Sequence, residues 1–187
     1  MKSSFYHCMA PVLVAAVLTA PGAARAEVDL AKSSITAVSK QMNVPIEGVF
    51  KKFNARVSFD PAKPSAGSAL ITVDVGSYDL GDSSYNSQVA GKEWFDARTY
   101  PTATFASSEI AAAGGNRYRV TGQLTIKGKS AIVTVPVTLT ERDHAQTLDG
   151  SMSIKRSQFD IGTGEWKDTS IVADDVTIKF HLVAAKF

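Results

Sequence analysis

From Ser33 onward apolar and polar positions alternate with a period of two, the signature of strands that are wet on one face. Ile35 and Ala37 alternate with Thr36 and Val38 in a first strand. Phe53, Ala55, Val57 and Phe59 alternate with Asn54, Arg56 and Ser58, so the first set is expected inside and the second outside. After the turn-rich stretch Asp60–Gly67, a third apolar face runs through Ala69, Ile71, Val73 and Val75. Strands resume at Thr102–Ser107, at Tyr118, Val120, Leu124 and Ile126, and at Ala131, Val133, Val135, Val137 and Leu139. Lys127-Gly128-Lys129 joins the last two as a tight hairpin. Pro136 cannot donate to a ladder, which marks an edge, a bulge or a local opening. Leu148, Met152 and Ile154, and then Val176, Ile178, Phe180 and Leu182, complete the set.

One segment breaks the pattern. Between Tyr78 and Asp96 the period of two is lost, while Val89 and Glu93, like Ala90 and Trp94, stand four apart. This predicts a short helical excursion around residues 85–96, with Asp96 able to cap the following turn. Pro101 stops any helix there, and Thr102-Ala103-Thr104-Phe105 restarts a strand. The count is about eight strands on short turns. A closed antiparallel barrel buries their apolar faces and leaves no exposed edge; a two-sheet sandwich is the other arrangement the periodicity allows.

The first 26 residues stand apart. Lys2 precedes the uncharged run Pro11–Ala20, and Ala24-Arg25-Ala26 has the small-x-small form of a cleavage site. Residues 1–26 are expected to be a secretory signal peptide, leaving one domain, 27–187, that begins at Glu27 and works in the periplasm or is secreted. Of 187 residues, 161 then remain, enough for a real core. The only cysteine, Cys8, leaves with the signal, so the mature chain has no disulfide and no thiolate ligand. Lys2 and Arg25 leave too; the mature domain carries 18 basic residues against 18 acidic ones. That balance disfavours nucleic-acid binding through a basic face.

The search for chemistry is mostly negative. His144 sits in the polar turn Glu141-Arg142-Asp143-His144, and His181 is outward on the last strand; neither has metal-ligand spacing. No catalytic elbow, P-loop or dinucleotide fingerprint is present; Gly162-Thr163-Gly164 leads into Glu165-Trp166 rather than a helix. The resource that remains is apolar. Phe50, Phe53, Phe59, Phe105, Tyr118, Phe159, Trp166 and Phe180 either line one ligand cavity or simply pack a core.

Three ordered segments bear on that choice. Trp94-Phe95-Asp96-Ala97-Arg98-Thr99-Tyr100-Pro101-Thr102-Ala103-Thr104-Phe105 resembles the signature of the YceI-like family of bacterial polyisoprenoid-binding proteins. Val120-Thr121-Gly122-Gln123-Leu124-Thr125-Ile126-Lys127-Gly128 is similar to its hairpin, and Ile154-Lys155-Arg156-Ser157-Gln158-Phe159-Asp160-Ile161-Gly162 to its late segment. Gly48-Val49-Phe50-Lys51-Lys52-Phe53 matches the family's approach to the second strand. Asp160 departs from the usual Gly and Trp94 from the usual Phe.

The resemblance implies an eight-stranded, lipocalin-like antiparallel β-barrel with a long apolar ligand, a polyisoprenoid or a quinone-like lipid, threaded through it. It implies no catalytic residues, no metal and no cofactor beyond that ligand. The tunnel lining would then comprise Phe50, Phe53, Val57, Phe59, Ile71, Val73, Trp94, Phe105, Tyr118, Leu124, Val133, Val135, Met152, Phe159, Trp166, Ile178 and Phe180. Trp94 is expected at the tunnel mouth, on the short helix, and Arg156 is the candidate for an anionic or carbonyl head group. The expected partner is a lipid, with transient membrane contact. Monomer and homodimer both stay open. The rival functions are an enzyme acting on an isoprenoid or quinone and a packed barrel serving as an interaction module in envelope stress.

Overall fold

The computed structural model describes residues 26–142 and 145–185. The leader read at residues 1–26 (apart from the backbone of Ala26) and His144 lie outside the described residues. The strands are β1 Ala26–Glu27, β2 Ser34–Gln41, β3 Val44–Phe50, β4 Phe53–Ser58, β5 Ser68–Asp74, β6 Tyr78–Asp79, β7 Thr102–Ala112, β8 Arg117–Ile126, β9 Lys129–Arg142, β10 Ala145–Lys155 and β11 Asp175–Ala185. Among the described residues one α-helix, α1, spans Ser83–Ala90. All eleven strands belong to one antiparallel sheet in the order β1-β4-β5-β7-β8-β9-β10-β11-β2-β3-β6.

Eleven segments rather than eight strands arise because three ribbons are kinked. β3 runs into β4 through Lys51 and Lys52, whose N–H groups donate to the carbonyl and hydroxyl of Ser77 at 3.1 and 2.9 Å. On one side this ribbon meets β2 and then β1; on the other it meets β6 and then β5. Residues 26–41, 44–58 and 68–79 thus act as three bent strands. With β7, β8, β9, β10 and β11 they make eight, and the pairings return on themselves through β11 and β2. The ring is stitched further by the Val28–Ala184 bridge and by Asp29 N–H, which donates to the Val183 carbonyl at 2.7 Å. The sheet is therefore curled into a barrel.

β3 was not legible because it breaks the rules for a strand. It contains Pro45 and Gly48, and Val44 is exposed. Its hairpin with β2 turns through Met42 and Asn43, both at positive φ (50° and 65°), where Asn-Gly is the usual signal. Gly48 is required by contact: the ring of Tyr78 lies directly over it, and the Tyr78 hydroxyl donates to the buried Ala37 carbonyl at 3.1 Å.

The inward faces are those the alternation implied. Ala55 and Val57 are buried and Phe53 is half-buried, while Asn54 and Arg56 are exposed. Val135, Val137 and Leu139 are buried, whereas Ile132, Thr134 and Pro136 face out. The expected helix is shorter and earlier. It ends at Ala90, and residues 91–100 form turns. Asp82 caps it, accepting from the N–H groups of Ser84 and Tyr85 at 2.8 and 3.2 Å. Asp96 adopts φ 48°, and its main-chain carbonyl accepts from Thr99 and Tyr100.

Pro136 does mark an opening. β9 and β10 pair from Arg142–Ala145 to Val137–Gly150, and the ladder stops there. Residues 129–136 then pair with β8 only, and 151–155 with β11 only.

Candidate functional site

Inward side chains from nearly every strand enclose a tunnel along the barrel. Val57 and Phe59 close one side, with Ala69, Ile71 and Val73 of β5 beside them; Ala103, Phe105 and Ile110 follow from β7. Tyr118, Val120, Leu124 and Ile126 of β8, Val135 and Val137 of β9, Leu148 and Met152 of β10 and Ile178, Phe180 and Leu182 of β11 continue round to Ile35 and Phe50. Among the described residues Thr104 and Tyr118 carry the only hydroxyls in this lining, and no carboxylate, imidazole or ammonium enters it. The unfilled space, mouth included, is about 1100 Å³. Its lining runs from Ile126 near the capped end to Leu182 towards the other, so the space extends along the barrel.

Two loops cap the end of the barrel formed by the β2–β3 and β8–β9 hairpins. The first follows α1, whose short apolar side puts Val89 into the core. Trp94 N–H returns to the Gly91 carbonyl and Phe95 N–H to that of Val89, at 3.1 and 3.0 Å. These turns push Phe95 into the tunnel against Phe50 and Tyr78, with ring centroids 6.1 and 5.7 Å away and near-perpendicular planes. Burial pushes the Tyr78 phenol up to about 12, a backbone hydrogen bond from Gly48 opposing and Glu47 adding to it.

The second loop is built on Arg156, which is 3 % exposed. Its guanidinium donates to five main-chain carbonyls: Ala173 at 3.2 Å, Ile161 at 2.9 Å, and Gly162, Trp166 and Val172 at 2.8 Å. Gly162 is needed beside it, since it sits at φ 71° and any Cβ there would collide with the guanidinium. Burial lowers the Arg156 pKa and Asp174 works against that, but the group stays cationic. The loops are tied together. Gly162 and Thr163 N–H groups donate to the Glu93 carbonyl at 2.8 and 2.9 Å. Lys127 donates to the carbonyls of Lys92 and Asp160 at 2.8 and 2.7 Å; burial lowers its pKa, against the pull of Asp96, Asp160 and Glu93.

The structure sorts the residues singled out from the sequence. Phe50, Val57, Phe59, Ile71, Val73, Phe105, Tyr118, Leu124, Val135, Met152, Ile178 and Phe180 come together on the tunnel. Phe53 packs against the core beside it, and Phe159 is fully buried under the second loop. Trp94 and Trp166 pack on each other in the cap, centroids 5.6 Å apart, with the Arg156 Cζ 6.0 Å from the Trp94 ring. Trp94 is therefore in a turn after the helix, and its neighbour Phe95 takes the lining position. Val133 faces the gap between β9 and β10. Arg156 is corrected outright: with all five donors spent on carbonyls, it has none for a head group.

Missed lining residues include Ala69, Val120, Val137, Leu148 and Leu182, which shared inward faces already read. Phe95 could not be found from spacing, because turns and not a periodic element aim it. His181 is outward, its Nδ1 2.6 Å from Asp149 on the surface. Among the described residues no three His, Cys, Asp or Glu side chains converge as for a metal. Two buried polar atoms there find no partner, Trp94 Nε1 and Gln146 Oε1.

This architecture has known relatives. The YceI-like domain model matches residues 27–184. The YceI protein of Salmonella arizonae is 31% identical over 128 residues, 68% of this chain and 64% of that protein. A UPF0312 protein of Vibrio cholerae is 33% identical over 90 residues, and the match spans about half the length of each chain (48%). The crystal structure of Burkholderia cenocepacia BcnA shares 70% identity and superposes with a TM-score of 0.83, covering 84% of this chain and 99% of that one. A polyisoprenoid binding domain from Saccharophagus degradans has the same fold at 16% identity, with a TM-score of 0.69 over 87% of this chain and 98% of its own. The chain belongs to the YceI-like family.

Proposed function

We propose that this protein is a non-enzymatic carrier or sequestering protein that holds the tail of a long-chain isoprenoid or related lipid inside the barrel, in the periplasm. The observation that carries this reading is the tunnel along the barrel, lined almost wholly by hydrocarbon. Such a lining brings no carboxylate, imidazole or amine to a reacting atom and no base beside its two hydroxyls, which favours binding over catalysis. Family membership and the polyisoprenoid-binding description of the Saccharophagus domain point the same way. The periplasmic assignment rests on the signal-like residues 1–26.

Each CH₂ taken from water contributes about 0.8 kcal/mol, so a polyprenyl tail has ample driving force to leave solution. The physiological alternative is a bilayer, where most of that gain cancels. Shape and access therefore set selectivity, and chain length matters more than head chemistry. The test is uptake by delipidated protein of a radiolabelled long-chain polyprenol, compared with a short-chain alcohol of the same head. One long chain per protein, with little retention of the short one, is expected. No saturable uptake of the long chain refutes the reading.

A further inference from the structure

The β9–β10 gap is a window with a complete frame. At its top the ladder ends at Val137–Gly150, where Pro136 has no N–H to continue it. Its sides are residues 131–136 and 151–155, each paired only with its outer neighbour. At its foot the turn Arg156–Phe159 passes in front of β9, strapped by the Lys129–Asp160 ion pair at 2.7 Å and by Lys127 on the Asp160 carbonyl.

Residues of both faces border the groove within this frame. Ile132, Thr134, Ser151 and Ser153 belong to the outer surface; Val133, Met152 and Ile154 belong to the inner one. The groove therefore lies where the wall has no ladder hydrogen bonds across it. Met152 borders both this groove and the tunnel, so a flexible, unbranched side chain stands between them.

We propose that this window is a lateral portal: the lipid tail passes Met152 into the tunnel, and the polar head stays in the groove. The inference rests on the lipid-carrier reading and adds where the ligand enters and which groups meet its head. The groove has the chemistry for a hydrogen-bonding head group without a strong net charge. Thr134, Ser151, Ser153 and Gln158 bring polar side chains, the edges of β9 and β10 bring main-chain groups outside any ladder, and Lys155 is neutralised by Asp175 at 2.7 Å. Ile132, 69 % exposed at the rim, gives an arriving tail an apolar first contact. The opposite end of the barrel is less suited to passage, because Tyr118, Val137, Leu139, Leu182 and Ala184 are all buried there.

The experiment bridges the window. In a Cys8→Ser background, Thr134→Cys and Ser153→Cys face each other across it, both exposed, and a short bismaleimide links them. A control link, Thr125→Cys with Ser130→Cys, spans an intact pair of the β8–β9 ladder. The probe is a fluorescent long-chain polyene lipid with a hydroxyl head. Linking across the window is expected to slow uptake about tenfold or more, and linking after loading to slow release equally, while the control link changes neither. Unchanged rates in the window-linked protein overturn the portal and leave the carrier reading standing. If the unlinked protein takes up no probe, the carrier reading itself fails and the portal falls with it.

Discussion

Replacing Arg156 with Leu probes the cap that closes the tunnel. The substitution keeps apolar bulk and strands five carbonyls at once. Three of those hydrogen bonds, to Ile161, Gly162 and Val172, are fully buried. An orphaned buried acceptor costs about 1–3 kcal/mol, so the gross loss is roughly 3–9 kcal/mol. Recovering the desolvation of the buried cation and letting water into the loop offset part of this, leaving about 3–5 kcal/mol. For a domain of this size each kcal/mol moves the melting temperature by about 2–4 °C, so a fall of roughly 10 °C is expected. Arg156→Lys keeps the charge but gathers its donors at one point, which cannot span carbonyls on both sides of the loop, and should fall in between. Scanning calorimetry with far-UV circular dichroism reads both variants. An Arg156→Leu midpoint within about 2 °C of the parent, on that same scale, would refute the bracing role.

Three further outcomes follow from the same geometry. Val135→Asp places a carboxylate in the tunnel wall, where Val135 is 3 % exposed, and should unfold the domain or raise its denaturant sensitivity sharply; Ile132→Asp, outward on the same strand, should be mild, and equal effects in urea titration would invert the register. Ala103→Phe adds a ring at a half-buried tunnel position paired with Val73 and should abolish polyprenol uptake while the protein still melts in one cooperative transition; unimpaired uptake would place the lipid elsewhere. Burial tends to raise the Asp174 pKa, but the Ser157 N–H and hydroxyl, with Lys155 and Arg156, outweigh it and hold the group below 3.8. A depressed carboxyl stabilises the fold fully above its unfolded value and loses that contribution as pH falls through the folded one. The stability gap between the parent and Asp174→Asn should therefore be constant at neutral pH and shrink below about pH 4, read by urea unfolding at each pH.

Period-two alternation carried most of the barrel, because each strand has one dry and one wet face and a side chain's parity sets its side. It therefore delivered Val57, Ile71, Leu124, Val135 and Phe180 to the tunnel without any knowledge of pairing. What escaped was whatever depends on turns and kinks. β3 is held by a two-residue turn of Met42 and Asn43 and by Tyr78 lying over Gly48, neither of which leaves a periodic trace. Phe95 rather than Trp94 reaches the lining because non-helical hydrogen bonds after Ala90 rotate the chain. Arg156 misled for a related reason. An arginine after a strand reads as a surface cation, and only the folded loop of residues 161–173 supplies the five carbonyls that bury it.

If the barrel interior holds one lipid chain, the crystal structure of the delipidated protein reloaded with a long-chain polyprenol will show it there. Continuous density is expected along Val73, Leu124, Val135, Met152 and Phe180, one chain per barrel, with its end against Phe95. Density confined to the outer surface, with those side chains closed over the empty interior, would contradict it.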